Sequence, residues 1–215
     1  MWILHTADLC IEVNLELKEL QRRLIPFSLA HYQDDALEIK DVFKMPGHAG
    51  FAYGFSVQTA SALDKWYIRL PPPDVKLQGT ADVLRQVAAL SVMPDSVPHC
   101  TVKWSGDDPQ WFGRPYFIVP QLEGDVVKLT GDGWVEALEK SARVGMAQQA
   151  IDALVKIHRM DWRQAHYLGE PMAFEDDVVR WDRFVEKAAE PHSLALVPEV
   201  RKLLLAKLPV SAPIG

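Results

Sequence analysis

The residue best placed to do chemistry is a single cation inside an apolar run, Arg69 in Trp66-Tyr67-Ile68-Arg69-Leu70-Pro71-Pro72-Pro73. A strand flanked by such residues does not bury an arginine without a partner, because an unpaired buried charge is very costly. Guanidinium forks suit phosphate oxygens. The plain alternative is an edge strand that turns Arg69 to water. Just upstream, Gly47, Gly50 and Gly54 crowd eight residues, and Gly54-Phe55-Ser56-Val57-Gln58-Thr59 follows. This segment reads as a glycine-rich hairpin between two strands, whose N–H groups could lie over a phosphate chain. An ordinary tight hairpin explains it equally well. Neither GxGxxG nor GxxxxGK[ST] occurs, so neither a dinucleotide fold nor a P-loop is supported.

The other reactive types are better explained by structure. His158 with Asp161 reads as a core or helix-end histidine, and Asp176 and Asp177 as acids favouring a helix start. Trp104, Trp111, Trp134 and Trp181 read as packing residues. Cys10 and Cys100 have no CxxC partner, which argues against zinc and against a disulfide framework. Among 215 residues, 23 Lys and Arg face 29 Asp and Glu, a net charge of -6. Such a chain lacks the field that draws proteins to nucleic acid or anionic membranes. No leading basic residues and no run of about 18 apolar residues mark a signal peptide or a membrane span, so a cytoplasmic protein is expected.

The elements that must hold these residues follow from periodicity. Leu15–Tyr32 has helical spacing interrupted by Pro26, and Leu37, Ile39 and Phe43 lie in a short strand. Phe55–Leu63 and Lys65–Leu70 read as strands around Asp64-Lys65, and Ala81–Val92 as a helix. Cys100–Trp104 and Tyr116–Val119 read as strands separated by the turn Ser105–Pro109. Beyond Gly124 the pattern is helical, over Trp134–Arg143, Val144–Met160, Glu175–Ala189 and Pro198–Leu208. In Val144–Met160 one face collects Ala147, Ala150, Ile151, Leu154, Val155 and His158, the side expected to be buried.

Six segments in order carry a resemblance. They are GFSxxT, WYIRLPPP, the helix with Arg85-Gln86, Val97-Pro98, the run Phe112–Gly124 (FGRPYFIVPQLEG), and Ala150–Trp162 (AIDALVKIHRMDW). Trp181 in VVRW fits a further helix. This order resembles the aminoglycoside phosphotransferase-like family, kinase-like enzymes that phosphorylate small molecules, from about Leu37 to Pro209. The resemblance implies an α+β, protein-kinase-like fold with an antiparallel-sheet N-lobe and an incomplete helical C-lobe. Residues 1–36 would form an N-terminal helical segment, 37–122 the nucleotide-binding N-lobe with its hinge, and 123–215 the partial C-lobe.

The resemblance also implies roles. Gly54, Phe55, Ser56 and Thr59 would belong to the flap over the nucleotide phosphates. Arg69 would stand where kinases keep the strand lysine that holds the α- and β-phosphates. Gln86 would stand where its glutamate partner usually is, a neutral amide in place of a charge. Val119, Pro120, Gln121 and Leu122 would form the hinge, with the Pro120 carbonyl and the Leu122 N–H facing adenine. ATP and Mg2+ are the implied cofactors, and a small-molecule hydroxyl the acceptor. The HGDxxxxN loop of the family does not occur, and Gly106-Asp107-Asp108 and Gly131-Asp132-Gly133 lie in expected turns. The sequence stops where that loop is expected, so the Mg2+ ligands are expected outside this chain and turnover by it alone is not. A non-catalytic nucleotide-binding or scaffolding protein is the second reading, and an unrelated α+β domain the third. Apolar positions such as Leu203, Leu204 and Leu208 raise the expectation of self-association.

Overall fold

The computed structural model describes residues 6–45, 51–73, 75–125, 127 and 133–209. The chain divides into two compact units, Met1–Leu168 and Gly169–Gly215. The first is built on a five-stranded antiparallel sheet. Its strands are β1 (Glu38–Lys44), β2 (Phe51–Gln58), β3 (Leu63–Leu70), β4 (Trp104–Gly106) and β5 (Tyr116–Pro120), in spatial order β1-β2-β3-β5-β4. Helix α1 (Thr6–Tyr32) precedes the sheet, α2 (Val83–Ser91) and the short α3 (Pro109–Phe112) are inserted within it, and α4 (Lys140–His158) follows. The second unit contains α5 (Phe174–Val179), α6 (Asp182–Glu186) and α7 (Val197–Ala206).

Period-2 alternation gives the sheet two apolar faces. Tyr53, Phe55 and Val57 of β2, Ile68 and Leu70 of β3, and Tyr116 and Ile118 of β5 share one buried cluster with Leu20, Leu24 and Phe27 of α1. Phe117 and Val119 of β5 point the other way and pack with Val83 of α2. Helix α1 is continuous through Pro26, where the spacing predicted an interruption. A proline inside a helix costs about 3 kcal/mol. Burial of Leu24 and Phe27 on either side of Pro26, both at 1% exposure or less, offsets that cost. The end of α1 is fastened to β3, since the Trp66 indole donates to the Tyr32 hydroxyl (2.7 Å), which donates to Asp64 (2.9 Å).

Several boundaries move from their expected places. The turn between β2 and β3 lies at 59–62, with Asp64 and Lys65 inside β3 opposite Val57 and Ser56. Thr59 closes it, its N–H donating to the Ala62 carbonyl (2.9 Å) and its hydroxyl oxygen accepting from the Ala62 N–H (3.0 Å). Strand β4 starts at Trp104 and includes Ser105 and Gly106, because the ladder with β5 runs from Trp104↔Ile118 to Gly106↔Tyr116. The turn follows at Asp107-Asp108, where Asp108 caps α3 by accepting from Gln110 N–H (3.0 Å). Trp134–Ala137 is a single 3-10 turn, and the expected helix over Glu175–Ala189 is broken into α5 and α6.

The largest departure concerns α4. The face predicted to be buried is the exposed one: Ile151 and Leu154 are each more than half exposed, and Val155 is 39% exposed. The half-buried positions are Gly145, Met146, Ala153 and Ile157 instead. At about 100° per residue the two stripes lie roughly a third of a turn apart. The helix is apolar on two sides, which a single-face pattern could not convey.

Candidate functional site

One face of the sheet is covered by α1, and the other is the more open one. The residues presented there are fixed by register. Phe43, Gly54, Tyr67 and Val119 form one row across four strands, through the pairs Phe43↔Gly54, Gly54↔Tyr67 and Tyr67↔Val119. The next row runs Ala52, Arg69 and Phe117. Arg69 is half-buried, on the same face as Tyr67 and the α2 cluster. Its neighbours Ile68 and Leu70 point into the α1 core, at 0% and 3% exposure. The apolar run around Arg69 therefore serves one face while the guanidinium serves the other.

The segment Gly54–Thr59 is the main correction. Gly54, Phe55 and Ser56 are in the body of β2 rather than in a hairpin, and Thr59 sits in the β2–β3 turn. Phe55 points into the α1 core at 2% exposure. Gly54 is needed for close approach: a Cβ there would lie 2.3 Å from the Phe43 ring, which lies over it. Ser56 is buried, and its hydroxyl donates to the Asp41 carboxylate (3.4 Å). Asp41 occupies the left-handed region (φ 53°) at a bulge in β1 between Lys40 and Phe43. The connection from β1 to β2 carries Gly47 and Gly50, which lie outside the described residues.

Gln86 lies on α2 between Val83 and Val87 in sequence and is half-buried. No side-chain hydrogen bond involving Gln86 occurs among the described residues, so it is not joined to Arg69. At the hinge, β5 bonds β3 through its odd-numbered residues, ending with Gln121 N–H donating to the Lys65 carbonyl (2.9 Å). Even-numbered residues use the opposite edge, where the Ile118 carbonyl accepts from Lys103 N–H (2.8 Å). That alternation puts the Pro120 carbonyl on the edge away from β3, beyond the last β4 pair. Val119 is buried beside Phe117, and Leu122 is 61% exposed.

Sequence reasoning missed the groups that fasten the sheet and its helices. Asp82 caps α2 by accepting from Leu84 N–H (3.1 Å), a role its place just before the helix could have signalled. Arg85 donates to the Leu168 carbonyl (2.6 Å), and Arg114 to the Pro71 carbonyl at the end of β3 (2.9 Å). Neither long-range bond has a local sequence signal, and nor does the bulge at Asp41.

On the sealed face a cavity of about 140 Å³ lies between α1 and the sheet, its polar lining paired internally. Tyr53 donates to Glu16, and Arg23 to Glu19 (2.6 Å). Burial, and next the bond to Glu16, push the Tyr53 phenol well above its usual range. Hydrogen bonds from Arg22 and Arg23 hold the Glu19 carboxyl at about 2, down from 4.5. Among the described residues no group of three or more His, Cys, Asp or Glu side chains lies where it could hold a metal ion. Among the same residues, no helix is long and apolar enough to cross a membrane.

The sequence profile of the phosphotransferase enzyme family matches residues 50–215. No curated protein matches at a significant level. Among solved structures, the chain is similar to a Ralstonia eutropha JMP134 protein assigned as an aminoglycoside phosphotransferase, at 17% identity and a TM-score of 0.54. That likeness covers 84% of this chain and 52% of the other, so the chain spans about half the length of this solved relative. The shared fold is a kinase-like one, an antiparallel sheet followed by helices.

Proposed function

Because the chain belongs to the phosphotransferase enzyme family, we propose that it is the nucleotide-binding part of an ATP-dependent, cytoplasmic enzyme that phosphorylates a small-molecule hydroxyl. The observation that carries this reading is Arg69, held in a central strand and turned to the face that α1 leaves uncovered. Its guanidinium supplies a fixed positive fork for the α- and β-phosphates. The Pro120 carbonyl and the Leu122 N–H serve the adenine edge. Ser56, Gly54 and Thr59 were expected over the phosphates. In the body of β2, Gly54 and Ser56 shape the floor of the proposed site through Phe43 and Asp41, and Thr59 lies in the turn that follows.

Magnesium and the proton-accepting aspartate of phosphoryl transfer are assigned to no residue of this chain, and no chemical step is derived through them. The chain's own contribution is to bind and orient the nucleotide. Isothermal titration with ATP and with adenosine tests this. ATP should bind more tightly than adenosine, and Arg69→Ala should weaken ATP by about 10- to 100-fold, the loss of a charge-assisted bond. Adenosine binding should be unchanged by that substitution. Equal affinity for both ligands, or an Arg69→Ala variant with unaltered ATP binding, would reject the assignment.

A non-catalytic nucleotide-binding or scaffolding protein is the second reading. ATP binding without any transfer to water or to added hydroxyl compounds supports it. Self-association is proposed through the exposed apolar side chains of the helical part, Ile151 and Leu154 in α4 and Leu203 and Leu204 in α7.

A further inference from the structure

Helix α2 forms one wall of the proposed nucleotide face, through Val83 against Phe117 and Val119, with Val87 and Tyr67 packed alongside. In kinase-like enzymes a charged pair from the strand cation would hold such a helix inward. That tie is not made here by Gln86. The bonds that do hold α2 are on its other side. By the 100° step, Arg85 lies opposite Val83 and Val87. Its Nη1 donates to the Leu168 carbonyl at 2.6 Å, across 83 residues of sequence. Two neighbouring contacts join the same pair of regions. The Tyr167 hydroxyl lies 3.5 Å from the Asp82 carboxylate that caps α2, and Lys156 of α4 donates to the Ser96 carbonyl beyond α2 (3.1 Å). The turn His166–Leu168 that receives Arg85 is itself anchored, with Ala165 just before it 5% exposed.

We propose that Arg85 is a positioning residue whose bond to the Leu168 carbonyl sets the lie of α2 over the nucleotide face. The inference rests on the nucleotide reading above. It differs in where the control sits: a cation on the outer side of α2, tied to the backbone after α4. A small change in the 166–168 turn is thereby transmitted to Val83 and Val87 and to the row Phe43, Gly54, Tyr67 and Val119. The bond is charge-assisted and only half-buried, the kind that can be made and broken without unfolding the sheet.

The test compares the full chain with Arg85→Ala and Arg85→Lys, well below the melting temperature, by hydrogen exchange and ATP titration. With Arg85→Ala, amides of residues 83–91 should exchange about tenfold faster, those of 116–120 should be unchanged, and ATP affinity should fall about tenfold. Arg85→Lys, which keeps the charge and a donor, should recover part of both. A merely structural role would speed exchange throughout the sheet. Unchanged exchange in 83–91 overturns the tie. Faster exchange there with unaltered ATP affinity overturns its link to the site. A wild-type chain that fails to bind ATP overturns the nucleotide reading and the link together, while the exchange measurement still decides whether Arg85 holds α2.

Discussion

On one side of the sheet, Leu20, Leu24 and Phe27 of α1 press onto Tyr53, Phe55, Ile68 and Ile118, and all seven are nearly inaccessible. On the other, Val83 and Val87 of α2 meet Phe117 and Val119, while Tyr67 and Arg69 stay half-buried and Phe43 is 41% exposed. The same five strands carry both faces, and alternation alone assigns each residue to one of them. The difference teaches where stability and binding reside. A face closed by a 27-residue helix supplies the platform, and the partly open face presents Arg69 and Val119, residues of the proposed site. Arg69 belongs to both, since its strand neighbours anchor the platform and its own side chain leaves it.

The contrast breaks most readily on the sealed side. Phe27→Ala removes a ring that packs against Trp104, Trp111, Phe112 and Tyr116 at 5.3–5.8 Å between centroids. It should cost about 3–5 kcal/mol in chemical denaturation, with α1 detaching from the sheet. A loss below about 1 kcal/mol would mean that α1 is not the platform described. On the open side, Gly54→Ala should cost about 1–3 kcal/mol by forcing the Phe43 ring aside. The cost should nearly vanish in a Phe43→Ala background, which a double-mutant cycle reads directly. Additive losses would show that the ring does not rest on Gly54.

Smaller effects sharpen the comparison at the helices. Asp82→Ala removes the α2 cap and should cost about 1 kcal/mol, with faster exchange confined to α2. On α1, Glu19 titrates at about 2 when folded against 4.5 ordinarily, through its bonds to Arg22 and then Arg23. A depressed carboxyl contributes stability that is present above about pH 4.5 and lost as the pH falls toward 2. Thermal melts should show this loss in the wild type and a flatter acid limb in Glu19→Gln. An identical acid limb in both would remove Glu19 from the account.

Much of this was legible in the sequence. The five strands, the helix between β3 and β4 and the helices α4 and α7 follow from periodicity, and Arg69 in WYIRLPPP is the residue on which the proposed site rests. What failed did so for stated physical reasons. Gly54 suggested a turn, but glycine in a strand also admits a ring from the neighbouring strand, and only the register with Phe43 tells the two apart. Pro26 suggested a helix break, but tertiary burial of Leu24 and Phe27 overrode it. The stripe on α4 was seen correctly as apolar and assigned wrongly to the interior, because a helix apolar on two sides has no single buried face to read. The fasteners Arg85 and Arg114 bond to carbonyls 83 and 43 residues away, a separation that no local pattern encodes.

We propose that a nucleotide occupies the α2 face of the sheet and not the α1 face. Photolabelling with 8-azido-ATP, followed by peptide mapping, tests it most directly. Label is expected within residues 63–73 or 116–125, displaced by unlabelled ATP and lost in Arg69→Ala but retained in Arg23→Ala on the α1 side. Label concentrated in α1, within residues 16–32, or labelling indifferent to Arg69, would contradict it.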